Sequence, residues 1–308
     1  MIRPRVSFLP WFLILAASAA FFLAGCMPKP VLDPGADPAR QAFVEFRGHF
    51  LAPKPPPALL LRGSFTYTAP KPRTKTNRTV MLFFGDLNSP LRLDVQSGVG
   101  TSLAFIRESS EGLLAFYPDR RTAYKHWDPV VGAQRLGLPF PFALRDLAHL
   151  VSGDFSPLVS PIYDSVREIP GSGFEYRFSR GRVHRLVLDF MGQPQSMSGP
   201  LTRPPREDGT KRENETWLIT FESYAPDGNG TPLCSILTLD LPDEEKGVLR
   251  IKSRELKLQP WPQGALGLPL PDGTEIRRLD REEAPRVLEM DGTNGGGNPA
   301  APAGEAPR

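Results

Sequence analysis

Read for hydrophobic spacing, the chain changes period twice. Val6 to Leu23 is apolar at nearly every position, interrupted only by Ser7, Pro10 and Ser18. From Asp37 the spacing becomes helical, with Ala39, Ala42, Phe43, Phe46 and Phe50 recurring every three or four residues on one face. Asp37 supplies an N-cap and Pro38 a pre-set first turn. Pro53 and Pro55-Pro56-Pro57 cannot continue a helix, so it ends near Leu51. From Ala58 the period is two. Leu59, Leu61, Phe65 and Tyr67 alternate with Leu60, Arg62, Ser64 and Thr66.

The strand pattern then repeats at short intervals. Lys71 to Lys75 reads as a turn and Val80 to Phe84 as the returning strand. Leu91/Leu93/Val95, Leu103/Phe105, Leu113 to Tyr117 and Thr122-Ala123-Tyr124 follow. Closely spaced strands without intervening helices predict an antiparallel meander. Residues 128–153 interrupt it. Pro141 opens a helix in which Ala143, Leu147, Leu150 and Val151 share a face, with Gly153 at the C-cap. Strands resume at Phe174/Tyr176/Phe178, Leu186/Leu188/Phe190, Trp217/Ile219/Phe221 and Leu233/Ser235/Leu237/Leu239, with residues 200–214 as a polar hairpin loop. A last strand, Val248 to Leu258, switches apolar parity from Leu249 and Ile251 to Leu256 and Leu258. That switch predicts a bulge between Lys252 and Glu255. The result is a mainly β chain of the α+β class. Roughly ten strands form one curled antiparallel sheet, with helices over one face.

Composition adds an address. Arg3 and Arg5 precede the apolar run, which ends in Leu23-Ala24-Gly25-Cys26. A basic head, an apolar middle and a small-residue cleavage site make residues 1–25 a secretory signal peptide. The cysteine after the small residues resembles the lipobox of bacterial lipoproteins, which implies an acylated Cys26 as the first mature residue. An uncleaved membrane helix is the alternative. Residues 26–36 then form a lipidated tether, 37–262 a domain, and 263–308 an extended, disordered tail that is Gly/Pro/Ala-rich from Asp291. Met27 is not the Asp associated with inner-membrane retention, so the expected address is the outer membrane, facing the periplasm. With Cys26 acylated, Cys234 is the remaining thiol, so no disulfide forms within the chain.

The charge and motif content narrow the chemistry. Formal net charge is +3, and the mature part is close to neutral, so no nucleic-acid partner is indicated. No nucleophile elbow, phosphate loop, dinucleotide fingerprint or His-Glu-x-x-His is present. His49, His126, His149 and His184 have no metal-ligand spacing and read as surface or edge residues, and Cys234 sits in an apolar strand-like run. No catalytic residue, cofactor or metal is assigned. What is plentiful is apolar: 19 Phe, and strands such as Val80–Phe84 and Leu113–Tyr117 that are apolar on both faces. Either helices and sheet curl cover both faces, or a hydrophobic cavity lies between sheet and helices.

Three segments carry a family resemblance. Arg92 to Thr101, with Gly98-Val99-Gly100 at its centre, resembles the two strands and exposed apolar turn of LolB, the outer-membrane lipoprotein receptor family. Gly137-Leu138-Pro139-Phe140-Pro141-Phe142, leading to Leu147, Leu150 and Gly153, resembles its Gly-x-Pro-x-Pro segment and lid helix. Trp217–Tyr224, Pro232–Leu241 and Val248–Leu258 resemble its closing strands. The likeness spans roughly residues 40–258.

The resemblance implies an incompletely closed barrel with a helical lid over an acyl-binding interior. It implies a monomer without enzymatic activity. Its partners would be an acylated lipoprotein cargo, a LolA-type periplasmic carrier, and membrane lipid through Cys26. The transfer loop would be Gly98, Val99 and Gly100, with Val in place of the family's larger Leu. The alternative at Val99 is an ordinary tight hairpin whose valine packs on a neighbour. Strand parity and aromatic size nominate Leu93, Leu103, Phe105, Phe116, Phe142, Leu147, Leu150, Leu188 and Trp217 for the cavity. Two other functions stay open: an envelope lipoprotein carrying another lipid or apolar ligand, and a structural one with a filled barrel.

Overall fold

The computed structural model describes residues 37–51, 55–72, 74–201, 215–227, 230–262, 264–280 and 286–290. The expected signal peptide, Cys26, the expected tether and residues 291–308 lie outside them. The chain divides into a unit of residues 1–38 and a unit of residues 39–308, and the second holds the sheet.

Helix α1 runs from Pro38 to Phe46 and continues as one π turn, Arg47–Leu51. Its apolar face is the expected one: Ala39, Ala42, Phe43, Phe46 and Phe50 are all buried. Six strands follow as a meander: β1 (Ala58–Thr68), β2 (Thr76–Asp86), β3 (Leu91–Ser97), β4 (Ser102–Ser109), β5 (Gly112–Tyr117) and β6 (Thr122–His126). Helices α2 (Pro129–Arg135) and α3 (Leu144–Val151) come next. A second meander comprises β7 (Ser165–Ile169), β8 (Gly173–Arg177), β9 (Arg185–Leu188), β10 (Pro194–Pro200), β11 (Thr216–Pro226), β12 (Pro232–Asp240) and β13 (Lys246–Lys257). A last short strand, β14, is Glu275–Arg278.

All fourteen strands belong to one curled, unclosed sheet, in the order β14-β6-β5-β4-β3-β2-β1-β13-β12-β11-β10-β9-β8-β7. The first meander runs outward from β1, and the second returns from β7 to place β13 beside β1. The helices therefore bridge the two outer ends of the meanders. Every pairing is antiparallel except β14 with β6. One end of the strands carries the turns at 69–75, 98–101, 118–121 and 241–245, and we call it the hairpin end.

The parity switch in β13 has the expected cause. Gly63 of β1 faces Ile251, while Arg62 faces Ser253, so Lys252 is an extra residue. Leu249 pairs with buried Phe65, and beyond the bulge Leu256 pairs with buried Leu59. The bulge thus keeps both ends of the strand turned to the core. Leu258 lies beyond the strand and is exposed.

Several elements depart from the sequence reading. Helix α2 was not anticipated, although Asp128-Pro129 repeats the Asp-Pro start of α1. Asp128 Oδ1 accepts the amides of Val130 and Val131 at 2.9 and 3.0 Å. Strands β7, β10 and β14 lack clean alternation because β7 and β14 are edges and β10 turns mostly small polar residues outward. Residues 264–280 and 286–290, expected in the extended tail, instead pack on the domain, with Leu266, Leu279, Val287 and Leu288 buried. In β4, a register shift between Val95 and Gln96 makes Leu103 the bulged residue. Leu103 and Ala104 both reach the core, and Phe105 turns to the outer face.

Gly192, in the β9–β10 turn, shows how tightly α1 is seated. Its φ is +77°, and a Cβ there would stand 2.4 Å from the Ala42 carbonyl oxygen. Gly192→Ala therefore combines left-handed strain with a backbone clash. The expected loss is about 2–3 kcal/mol in chemical denaturation, with α1 amides losing the most protection from hydrogen exchange.

Candidate functional site

The inner face of the sheet is lined by alternate strand residues, and α1, α3 and the 138–160 segment lie on it. Seven of the nine nominated cavity residues meet there in one buried cluster: Leu93, Leu103, Phe142, Leu147, Leu150, Leu188 and Trp217. Phe105 and Phe116 do not join them. They stack on each other on the outer face, with ring centroids 6.4 Å apart. Their cover is the chain after β13, where Arg107 Nε donates to the Leu266 carbonyl at 3.2 Å. That cover is the source of the two-sided apolar strands. The Arg92 guanidinium lies 5.4 Å from the Phe84 ring and 6.0 Å from Phe105. It also pairs with Asp94 at 2.9 Å and donates to the Gly267 carbonyl at 2.7 Å.

The interior is occupied by rings that strand parity alone does not reveal. Phe43 of α1 packs against Tyr176 (5.0 Å) and Tyr163 (4.7 Å). Phe46 and Phe50 meet Phe155, which meets Phe221 of β11 at 5.4 Å. A second run links Phe65, Phe140, Phe142 and Trp217 through centroid distances of 5.3, 6.1 and 6.1 Å. The signal for the first run was the α1 periodicity itself, which identified a buried face but not its aromatic neighbours. Trp217 Nε1 donates to the Pro200 carbonyl at 3.1 Å, so its polar atom is satisfied at the layer's border.

Helix α3, the expected lid, is buried on nearly every side, with only Arg145 exposed. It is held by polar pins. Its N-cap is Ala143, which has no side-chain acceptor. Glu108, at the end of β4, takes that role: its Oε2 accepts the Leu144 amide at 2.7 Å. Asp146 Oδ2 accepts the Ala143 amide at 3.1 Å and pairs with Arg182. At the other end His149 Nδ1 meets Asp154 Oδ2 at 2.8 Å in a buried pair. Burial would raise the Asp154 carboxyl, but hydrogen bonds from His149 and Ser156 outweigh it and hold it below its ordinary value. His149 and His126 are both buried, where the sequence suggested surface or edge positions.

The proposed transfer loop lies at the hairpin end, joining β3 to β4. Ser97 and Thr101 close it through Ser97 N–H to the Thr101 carbonyl at 2.8 Å and Gly100 N–H to the Ser97 carbonyl at 3.0 Å. Val99 at its tip is 85% exposed, so it packs on no neighbour. Gly100 has φ +89°, which a valine or leucine adopts poorly. Trp127, Ile162 and Leu258 are also exposed, but none is a hairpin tip flanked by glycines.

Reactive groups are few. Burial pushes the Cys234 thiol up to about 11, which leaves it protonated and inert. Among the described residues no group of His, Cys, Asp and Glu is arranged to hold a metal, and no helix is long and apolar enough to cross a membrane. On the outer face of β8, Glu175 is 1% exposed and accepts Arg167, Arg177 and Arg185 at 2.7–2.9 Å. Burial opposes its ionisation, and the arginines prevail and lower it.

Burial raises Glu108 from 4.5 to about 7, against the lowering by the Leu144 and Arg145 amides. The folded chain thus keeps a proton that the unfolded chain releases between pH 4.5 and 7. The contribution is fully present below 4.5 and is lost as pH rises through 7, up to about 3 kcal/mol in all. Glu108→Gln, which still accepts the Leu144 amide, is expected to flatten that part of the stability–pH curve in denaturant titrations. An unchanged slope would show that Glu108 is not the group responsible.

No family model matches this chain, and no curated protein matches it. Several solved structures follow a similar chain path. A LolA superfamily protein from Nitrosomonas europaea is 13% identical, with a TM-score of 0.49, covering 76% of this chain and 99% of its own. A putative outer membrane lipoprotein-sorting protein domain from Vibrio parahaemolyticus is 9% identical, with a TM-score of 0.46, covering 75% and 97%. A DUF1329 family protein from Desulfovibrio piger is 8% identical, with a TM-score of 0.46, covering 75% and 100%. At such identities residue roles do not carry over.

Proposed function

We propose that the protein is an outer-membrane lipoprotein that receives acylated lipoproteins from a periplasmic carrier and passes them to the membrane. The observation that carries this reading is the Gly98-Val99-Gly100 tip, exposed beside an apolar interior enclosed by sheet and helices. An isolated exposed valine is unremarkable on a protein surface. On a glycine-flanked hairpin beside an apolar layer, it is a small wedge suited to the edge of a bilayer.

The reading needs no covalent chemistry. Each methylene moved out of water is worth ~0.8 kcal/mol, so a multi-chain cargo is held by area alone. The LolB resemblance in the sequence supports the receptor role, and the lipobox supports an anchor at Cys26 in the membrane that the cargo enters. A LolA-type carrier would hand over the chains while its own interior competes for them.

Depletion of the protein is expected to leave lipoproteins bound to their carrier in the periplasm, as read by fractionation. Val99→Glu should fold normally yet reduce transfer from carrier to membrane by roughly an order of magnitude, since a carboxylate resists entry into the interface. Normal lipoprotein delivery after depletion would rule out the receptor role. Phospholipid copurifying with the protein, without any cross-link to a carrier, would point instead to carriage of another lipid.

A further inference from the structure

Past β13 the chain forms a strap rather than a tail. On the outer face the Trp261 amide donates to Asp86 Oδ1 at 2.8 Å, and its indole Nε1 donates to the Leu59 carbonyl at 3.3 Å. Its ring packs 5.4 Å from Phe84. The Arg92 and Arg107 contacts to Gly267 and Leu266 continue the attachment across β3 and β4. The strap then pairs with β6 as β14, and the Leu279 amide donates to the Lys125 carbonyl at 3.1 Å. Its last described piece, residues 286–290, lies on the inner face.

There the Val287 amide donates to the Leu136 carbonyl at 2.9 Å, and Asn77 Nδ2 donates to the Leu288 carbonyl at 3.0 Å. Val287 and Leu288 are 0% and 1% exposed and belong to the same apolar cluster as Leu93 and Trp217. Asn77 sits at the hairpin end, paired with inward-facing Tyr67. Two residues on, Thr79 pairs with Ser97, which opens the Val99 turn. The segment therefore closes the apolar interior beside the exposed tip.

We propose that residues 286–290 are a displaceable plug, and that acyl chains enter or leave the interior by taking the place of Val287 and Leu288. This rests on the acyl-binding reading above and adds the entry point and its control. The outer part of the strap is fixed by a strand ladder, a half-buried arginine and an indole. The plug is a single 3-10 turn tied at separate points, without a ladder. Its two branched alkyl side chains fill the interior with the same chemistry that an acyl chain would bring. Exchange of one for the other leaves the lining apolar throughout, so opening need not expose it to water. The anchored strap keeps the released plug close, ready to refill the interior after the cargo leaves.

The test locks the plug in place. An Asn77→Cys/Leu288→Cys pair is made in the full acylated protein and reconstituted in nanodiscs. Cys234 stays out of exchange because its thiol is buried and protonated. The probe is a synthetic triacylated lipopeptide with a diazirine in its palmitoyl chain, and the readout is photo-labelling of inner-face residues by mass spectrometry. Under reducing conditions labelling is expected to match the parent protein. Under oxidation it should fall about tenfold, because the competent fraction sets the apparent affinity. Val287→Ser/Leu288→Ser should label more strongly than the parent and be indifferent to redox state.

Equal labelling of the oxidised and reduced pair overturns the plug while leaving acyl binding intact. If the pair does not oxidise, unchanged labelling of the double serine variant overturns it. Absence of inner-face labelling in every form, the parent included, overturns the acyl-binding reading and the plug with it.

Discussion

The pairing of β1 with β13 is the contact on which the rest depends. It joins residues about 190 positions apart, Ala58 with Lys257 and Thr68 with Lys246 at its two ends, whereas other strands pair mainly with sequence neighbours. Each meander is a set of local hairpins between sequence neighbours. Only the β1–β13 seam turns two half-sheets into one curled surface. Its register also decides which side of every strand becomes the interior, since a one-residue slip would turn each side chain over. The extra residue at Lys252 absorbs the parity change and keeps Leu249 and Leu256 on the same side.

Because the sheet does not close on itself, both faces need cover, and the chain supplies it differently on each. The inner face receives helices between the two meanders and α1 before the first strand. The outer face receives the strap. The helical layer holds ionisable groups against apolar surroundings, where burial disfavours the charged form, as at Glu108. Glu108, the Asp146–Arg182 pair and the His149–Asp154 pair fix where α3 sits, since its apolar surface alone leaves its position along the sheet poorly determined. Glu108 is the most exacting of these. It reaches from one half-sheet to cap a helix whose own first residue cannot.

The sheet, its antiparallel order, the β13 bulge and the α1 face were legible because each is a local pattern of spacing. Seven of the nine residues nominated by parity and size fall in the buried cluster. Phe105 and Phe116 were assigned to the wrong face. A bulge at Leu103 shifts the β4 pattern by one, and the sequence carries no glycine or proline there to mark it. Most of the strap went unplaced because residues 263–308 read as an extended tail. The clue lay elsewhere, in the apolar outer residues of β2 to β5 that had no visible cover. A surplus on one side of a sheet is evidence for a segment that has not yet been placed. The exposure of Val99 was open in the sequence because a glycine-flanked turn permits both orientations.

An interior crossed by its own packed rings would suit transfer better than storage. A preformed empty pocket would bind an acyl chain with the full gain of the buried methylenes and release it slowly. A filled one yields only the difference between the ligand's contacts and those of the residues it displaces. On the proposed reading, the aromatic runs through Phe155 and Phe142 set the level of that difference, and Val287 and Leu288 set where it is exchanged. On that proposal, acyl chains would move down a shallow gradient from carrier to receptor to bilayer. The last step is the steepest, because the bilayer accepts the chains without displacing any protein contact. If the proposed tether at Cys26 holds the protein at that bilayer, it would need only modest affinity, and a deeper pocket would slow delivery.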